Sequence, residues 1–182
     1  MRLAPLALVL ATAATAHAAP LAWSKTEQGV HARLIVESTT DAQKHAQIAV
    51  SVEIENVGDV AGGLPLPWGD ITEMLTFTIE DANGKVVAGE APGGNRLSPL
   101  PYIVPLPEHS TLRVSVTPSA IEYVPGGKTL FRPVTFQAWE LPAKHGPLFV
   151  RATLTPHAQE KGAKAQPRSW SVPLELPRVA LP

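Results

Sequence analysis

The residues able to do chemistry are few and widely spaced. Six histidines occur, at positions 17, 31, 45, 109, 145 and 157, and no two lie two, three or four residues apart. Short spacings matter because they put ligands on one face of one element, so local sequence offers no metal site. The chain has no cysteine, which removes any thiolate copper or zinc centre and any disulfide. Scattered surface histidines are the expected reading. No Gly-x-Ser-x-Gly elbow presents a serine nucleophile. Gly126-Gly127-Lys128 lacks the glycine spacing of a phosphate loop and a following helix, and reads as a β-turn. The acids include Asp59, Asp70, Glu73, Asp81, Glu90, Glu108, Glu122 and Glu140. Asp59 and Asp81 follow strand patterns, where a carboxylate hydrogen-bonds the turn backbone. No cofactor is implied.

Aromatic side chains are the remaining candidates. Trp68 sits in Leu64-Pro65-Leu66-Pro67-Trp68-Gly69-Asp70, a segment expected as a loop rather than regular sheet, and Tyr102, Tyr123 and Trp139 lie next to proline-bearing segments. Exposed rings stack on sugar faces or anchor a partner protein, which makes Trp68, Tyr102 and Trp139 candidate binding residues. The competing role is to plug the open ends of a core, favoured for Trp68 and more strongly for Trp170, which is in phase with an apolar face. Trp23, just ahead of the first strand pattern, is placed to cover a sheet edge.

The elements that must position these residues are strands. Val30, Ala32, Leu34 and Val36 alternate with more polar neighbours, and so do Ile48 to Ile54, Leu75 to Ile79, Leu112 to Val116, Leu148 to Leu154 and Trp170 to Leu176. Alternate residues of an extended chain face opposite sides, so each segment has one dry face. Six dry faces require a second layer, which sheet-on-sheet packing provides. Asp81-Ala82-Asn83-Gly84 between two apolar runs is a hairpin signal, and Asn56-Val57-Gly58-Asp59 reads as a turn. Pro173 predicts an edge strand or a bulge. Gly89 to Pro99, Tyr123 to Lys128 and Pro156 to Pro167 read as long loops, and Pro118 to Glu122 as one short turn. The sequence therefore predicts an all-β, two-sheet antiparallel sandwich of about seven to nine strands.

The first residues predict export. Arg2, the apolar run Leu3 to Ala14 and Ala16-His17-Ala18 form a secretory leader with cleavage after Ala18. Residues 19–182 then form a single domain that ends in a short tail. The net charge of −1 becomes −2 on loss of Arg2, too small a field to hold nucleic acid. No later stretch is long and apolar enough to span a membrane. The mature chain is expected to be periplasmic or secreted, and its oligomeric state is left open.

Ile48 to Asn56 followed by Gly58-Asp59, the hairpin Phe77 to Val87 with Asp81 and Gly84, and Gly146 ahead of the strand ending at Leu154 together resemble the immunoglobulin-like domains of bacterial exported proteins. The hairpin resembles that of BsuPI-type proteinase-inhibitor domains in particular. The resemblance covers about a quarter of the chain. It implies the fold and, as one function, protease inhibition through Gly89 to Pro99 or the proline-stiffened Pro101 to Pro107. The leading expectation is a non-enzymatic domain that binds a protein or envelope component through loops at one end of the sandwich. A carbohydrate-binding module using Trp68, Tyr102 and Trp139 is the further alternative.

Overall fold

A computed structural model describes residues 21–42, 44–67, 71–87, 101–134, 137–141, 146–156 and 170–182. The expected leader, Trp68, His145, His157 and the segment Gly89 to Pro99 lie outside these, as does 157–167 of the third expected loop. The fold is all-β. Its strands are β1 (Val30–Thr40), β2 (Ala46–Asn56), β3 (Gly62–Pro67), β4 (Leu75–Asp81), β5 (Pro101–Leu106), β6 (Thr111–Thr117), β7 (Ile121–Val124), β8 (Lys128–Val134), β9 (Gln137–Leu141), β10 (Leu148–Leu154) and β11 (Leu174–Ala180), with a 3₁₀ turn at Ile71–Met74.

Four antiparallel sheets are present, ordered β1-β2-β6, β11-β10-β4, β3-β5 and β7-β8-β9. The first two carry the strands predicted from alternation, and their dry faces meet. Ala32, Leu34, Val50, Val52 and Ile54 share one core with Phe77, Ile79, Val150, Leu154, Leu174 and Leu176. Leu64, Leu106, Phe131, Trp139 and Trp170 close that core toward its ends. The arrangement is sandwich-like, with eleven strands among the described residues where seven to nine were expected.

The extra strands come from proline-bearing or short segments. Leu64 to Pro67 and Pro101 to Leu106, read from sequence as loops, pair with each other. Tyr123 to Lys128 is a turn between β7 and β8 rather than a long loop. Ile121 and Glu122 belong to β7, not to a helical turn. Last comes the strand pattern begun at Trp170, which enters the sheet only at Leu174.

Proline placement explains how these strands hold. Pro65, Pro67, Pro101 and Pro105 occupy one parity of the β3–β5 ladder, opposite Ile103, Pro101, Pro67 and Gly63. Gly63 has that parity, and its carbonyl accepts from the Trp170 backbone N–H at 3.2 Å, outside the ladder. These positions therefore point their backbone groups away from the partner strand, where a missing N–H breaks no ladder bond. The other two strand prolines, Pro133 and Pro177, sit at register shifts of the β8–β9 and β10–β11 pairs. Strand β11 is an edge of its sheet, in keeping with the expectation from Pro173.

Two glutamine side chains join sheets. Gln137, 4% exposed, accepts the backbone N–H of Phe77 on its Oε1 at 2.9 Å. It thereby satisfies a donor on the open side of β4. Gln47 Oε1 accepts from the Ser119 hydroxyl at 2.7 Å and the Ile121 N–H at 3.3 Å, which fastens β7 beside the start of β2. On the outer face of β1–β2, His31 opposes Glu55 and Arg33 opposes Glu53. Trp23 stacks on His31 at 4.1 Å between centroids and carries the Arg33 guanidinium over its ring at 4.3 Å. Trp23 thus lies on the face beside the first strand.

Candidate functional site

The end of the molecule where β1 starts and β2 finishes is built by tight turns. Glu27 and Val30 exchange backbone hydrogen bonds of 2.8 and 3.0 Å around Gln28 and Gly29. Both central residues have positive φ, 53° and 78°, the geometry of a two-residue hairpin turn that follows strand twist. Glycine suits the second position, and Gln28 takes the strained first one. Gln28 is held there by Ser171: its Oε1 accepts the Ser171 N–H at 2.9 Å, and its Nε2 donates to the Ser171 hydroxyl at 3.3 Å.

Asn56 ties this end together. It ends β2 opposite Val30 and is 3% exposed. Its Nδ2 donates to the carbonyls of Val60, Leu106 and Pro107 at 2.9, 3.1 and 3.1 Å, two hydrogens shared among three acceptors. Its Oδ1 accepts from the Gly58 N–H at 3.0 Å. One buried carboxamide therefore fixes the turn after β2 and joins it to the end of β5.

Between the paired ends Val30–Asn56 and Gly62–Leu106 lies a pocket of about 330 Å³. Gln28, Val60, Gly63, Leu64, Leu106 and Trp170 contribute to its wall. A side chain at Gly63 would put its Cβ 2.6 Å from the Ile103 Cγ2, so glycine is what lets β3 lie this close to β5. Trp170 is 4% exposed, and its Nε1 is buried without a hydrogen-bond partner among the described residues. Val57 and Val60, 37% and 40% exposed, stand at this end, with the Asp59–His109 pair at 3.3 Å beside them. Among the described residues, no ionisable side chain lines the pocket.

The candidates drawn from sequence are placed as follows. Trp139 on β9 is 5% exposed and packs 6.2 Å from Phe131. It plugs the core, and its ring is not offered to a ligand. Tyr102 lies on β5 in register with Leu66, and Trp68 is outside the described residues. Pro101 to Pro107, expected as a stiff inhibitory loop, is strand β5 as far as Leu106. Its prolines prevent strand addition at an edge rather than stiffening a free loop.

The described histidines are separated: His31 meets Glu55 at 2.9 Å, His45 meets Asp41 at 3.1 Å, and His109 meets Asp59. Among the described residues, no group of three or more His, Cys, Asp or Glu side chains is placed to hold a metal ion. No helix there is long and apolar enough to cross a membrane. A shallower depression borders Thr72, Thr117, Ser119 and Arg132, whose guanidinium pairs with Glu122 at 2.8 Å.

Sequence reasoning missed Asn56 as the organiser of the end and Gln28 and Trp170 as wall residues. Asn56 carried a turn signal and Gly62-Gly63 a close-approach signal. Nothing local reveals that both line one pocket with Trp170, more than a hundred residues later. Comparisons of this chain with family models, with curated proteins and with solved structures return no match.

Proposed function

We propose that the protein is an exported, non-enzymatic binding domain of immunoglobulin-like type. It meets a protein or another envelope component through the end of the sandwich formed by the turns at 27–30, 56–61 and 107–110. One observation carries this reading: a pocket whose described wall is uncharged opens there between the ends of two sheets, with the exposed Val60 in its wall and the exposed Val57 in the same turn. Ligand sites are concave, largely apolar and built on rigid elements, and Asn56 supplies that rigidity.

The test compares two ends of the same molecule. Tyr123 is 55% exposed and donates its hydroxyl to the carbonyl of Ala46, at the start of β2. An eleven-residue strand separates it from the pocket by about 30 Å. Immobilised wild-type protein and the Tyr123→Asp variant are expected to retain the same component of an envelope extract. The double variant Val57→Asp, Val60→Asp is expected to lose it while keeping its circular dichroism. Retention by the valine variant, loss by both variants, or nothing retained by the wild type would overturn the reading.

A further inference from the structure

The chemistry of the pocket wall is more specific than its shape. Both side-chain amides in it are committed within the protein, Gln28 to Ser171 and Asn56 to three carbonyls and an N–H. Trp170, the other polar wall residue, differs: its indole N–H is buried with no partner among the described residues. An unpaired buried donor costs free energy in the protein alone, and an acceptor brought to it recovers that cost. The remaining wall is Val30, Val60, Ala61, Leu64, Leu106 and two glycines.

We propose that this pocket takes a compact, uncharged, largely apolar group carrying one hydrogen-bond acceptor, which is met by the Trp170 indole N–H. The inference rests on the binding-domain reading, since it concerns the same end of the molecule. A charged group would lose its hydration with no counter-charge in the wall. A sugar would bring several hydroxyls to a wall whose side-chain amides are already satisfied. The volume, about 330 Å³, suits a single ring with a short substituent and lies at the small end of ligand pockets. The N–H is sealed from bulk water, so the indole edge must turn toward the cavity to meet the acceptor. A titration followed at that N–H reads the event directly.

The experiment uses isotope-labelled mature protein and follows the indole N–H resonances of its four tryptophans. The Trp170 signal is assigned by its loss in Trp170→Phe, or by elimination among the other tryptophan variants if that one does not fold. Acetophenone supplies a ring and one carbonyl, ethylbenzene the same shape without an acceptor, and glucose a polyol. Acetophenone is expected to shift the Trp170 signal saturably and to bind at least about tenfold more tightly than ethylbenzene. Glucose should leave the signal unmoved. The rim variant Val60→Phe, which fills the mouth, is expected to abolish the shift.

Three results would overturn the proposal: no shift up to the solubility limit, equal binding of the two aromatic probes, or a saturable glucose response. Any of these, with capture still dependent on Val57 and Val60, removes the pocket chemistry and leaves the binding end standing. Where the shift occurs, displacement of the captured component by acetophenone assigns the group to the partner. Binding without displacement assigns it to a free ligand.

Discussion

At the scale of single residues, three buried amides hold this fold together where backbone pairing stops. Gln137 satisfies the Phe77 N–H on the outer side of β4, a group that no strand pairs. Gln137→Leu keeps the volume and removes the acceptor, which strands that N–H in a dry place. The expected loss is about 1–3 kcal/mol, read as a lower denaturant midpoint at unchanged slope. Asn56→Ala releases three carbonyls and the Gly58 N–H. These groups lie closer to solvent and can in part be hydrated, so about 2 kcal/mol is expected. The variant should also bind pocket probes more weakly, because the turn it anchors loosens.

None of these roles was legible in the sequence. Asn56 announced a turn and no more, since a carboxamide at a strand end looks alike whether it faces water or three carbonyls. Gln47 and Gln137 looked like ordinary polar residues of unremarkable segments. Their value depends on which backbone group, dozens of positions away, lacks a partner. Trp170 was readable as a core residue from its phase, and it is one. That its N–H would be left unpaired was not readable.

At the scale of elements, alternation located six strands and proline concealed others. β1, β2, β4, β6 and β10 coincide with predicted segments, because hydrophobic period two is a local property. β3 and β5 escaped because Pro65, Pro67, Pro101 and Pro105 look like strand breakers. They are strand breakers only at ladder-bonding positions, and parity relative to a partner cannot be counted before the partner is known. β7 and β9 are four and five residues long, too short for alternation to register.

The same parity blunts the exposed edge of β5, since Pro105 at an outward position offers no N–H to an incoming strand. Pro105→Thr restores an outward donor at an exposed position. That variant is expected to self-associate, seen as a concentration-dependent rise in mass by light scattering while the wild type stays constant. Gly63→Ala drives a Cβ into Ile103 and should cost about 1–3 kcal/mol. Trimming Ile103 to Val in the same chain should return part of that loss.

At the scale of the whole molecule, one core joins all four sheets, and no disulfide divides or braces it. Near-ultraviolet and far-ultraviolet dichroism should therefore report a single coincident unfolding transition, unaffected by reductant. Two resolved transitions would mean that the β7-β8-β9 sheet unfolds as a unit of its own. The class of fold was legible because six dry faces in one chain admit few solutions. The arrangement of the ends was not, because it depends on pairings between distant segments.

The clasp between Gln28 and Ser171, with β11 completing the sheet that faces β1, fixes when this molecule can mature. The hairpin turn at 27–30 closes on its own backbone but is clasped by a residue 143 positions downstream, and Leu174 and Leu176 supply one side of the shared core. Long-range closure of this kind slows folding. A nascent chain stopped short of residue 170 should remain protease-sensitive, and adding the last thirteen residues should confer resistance in one step. Biogenesis here is decided at the final strand, however early the first ones are made.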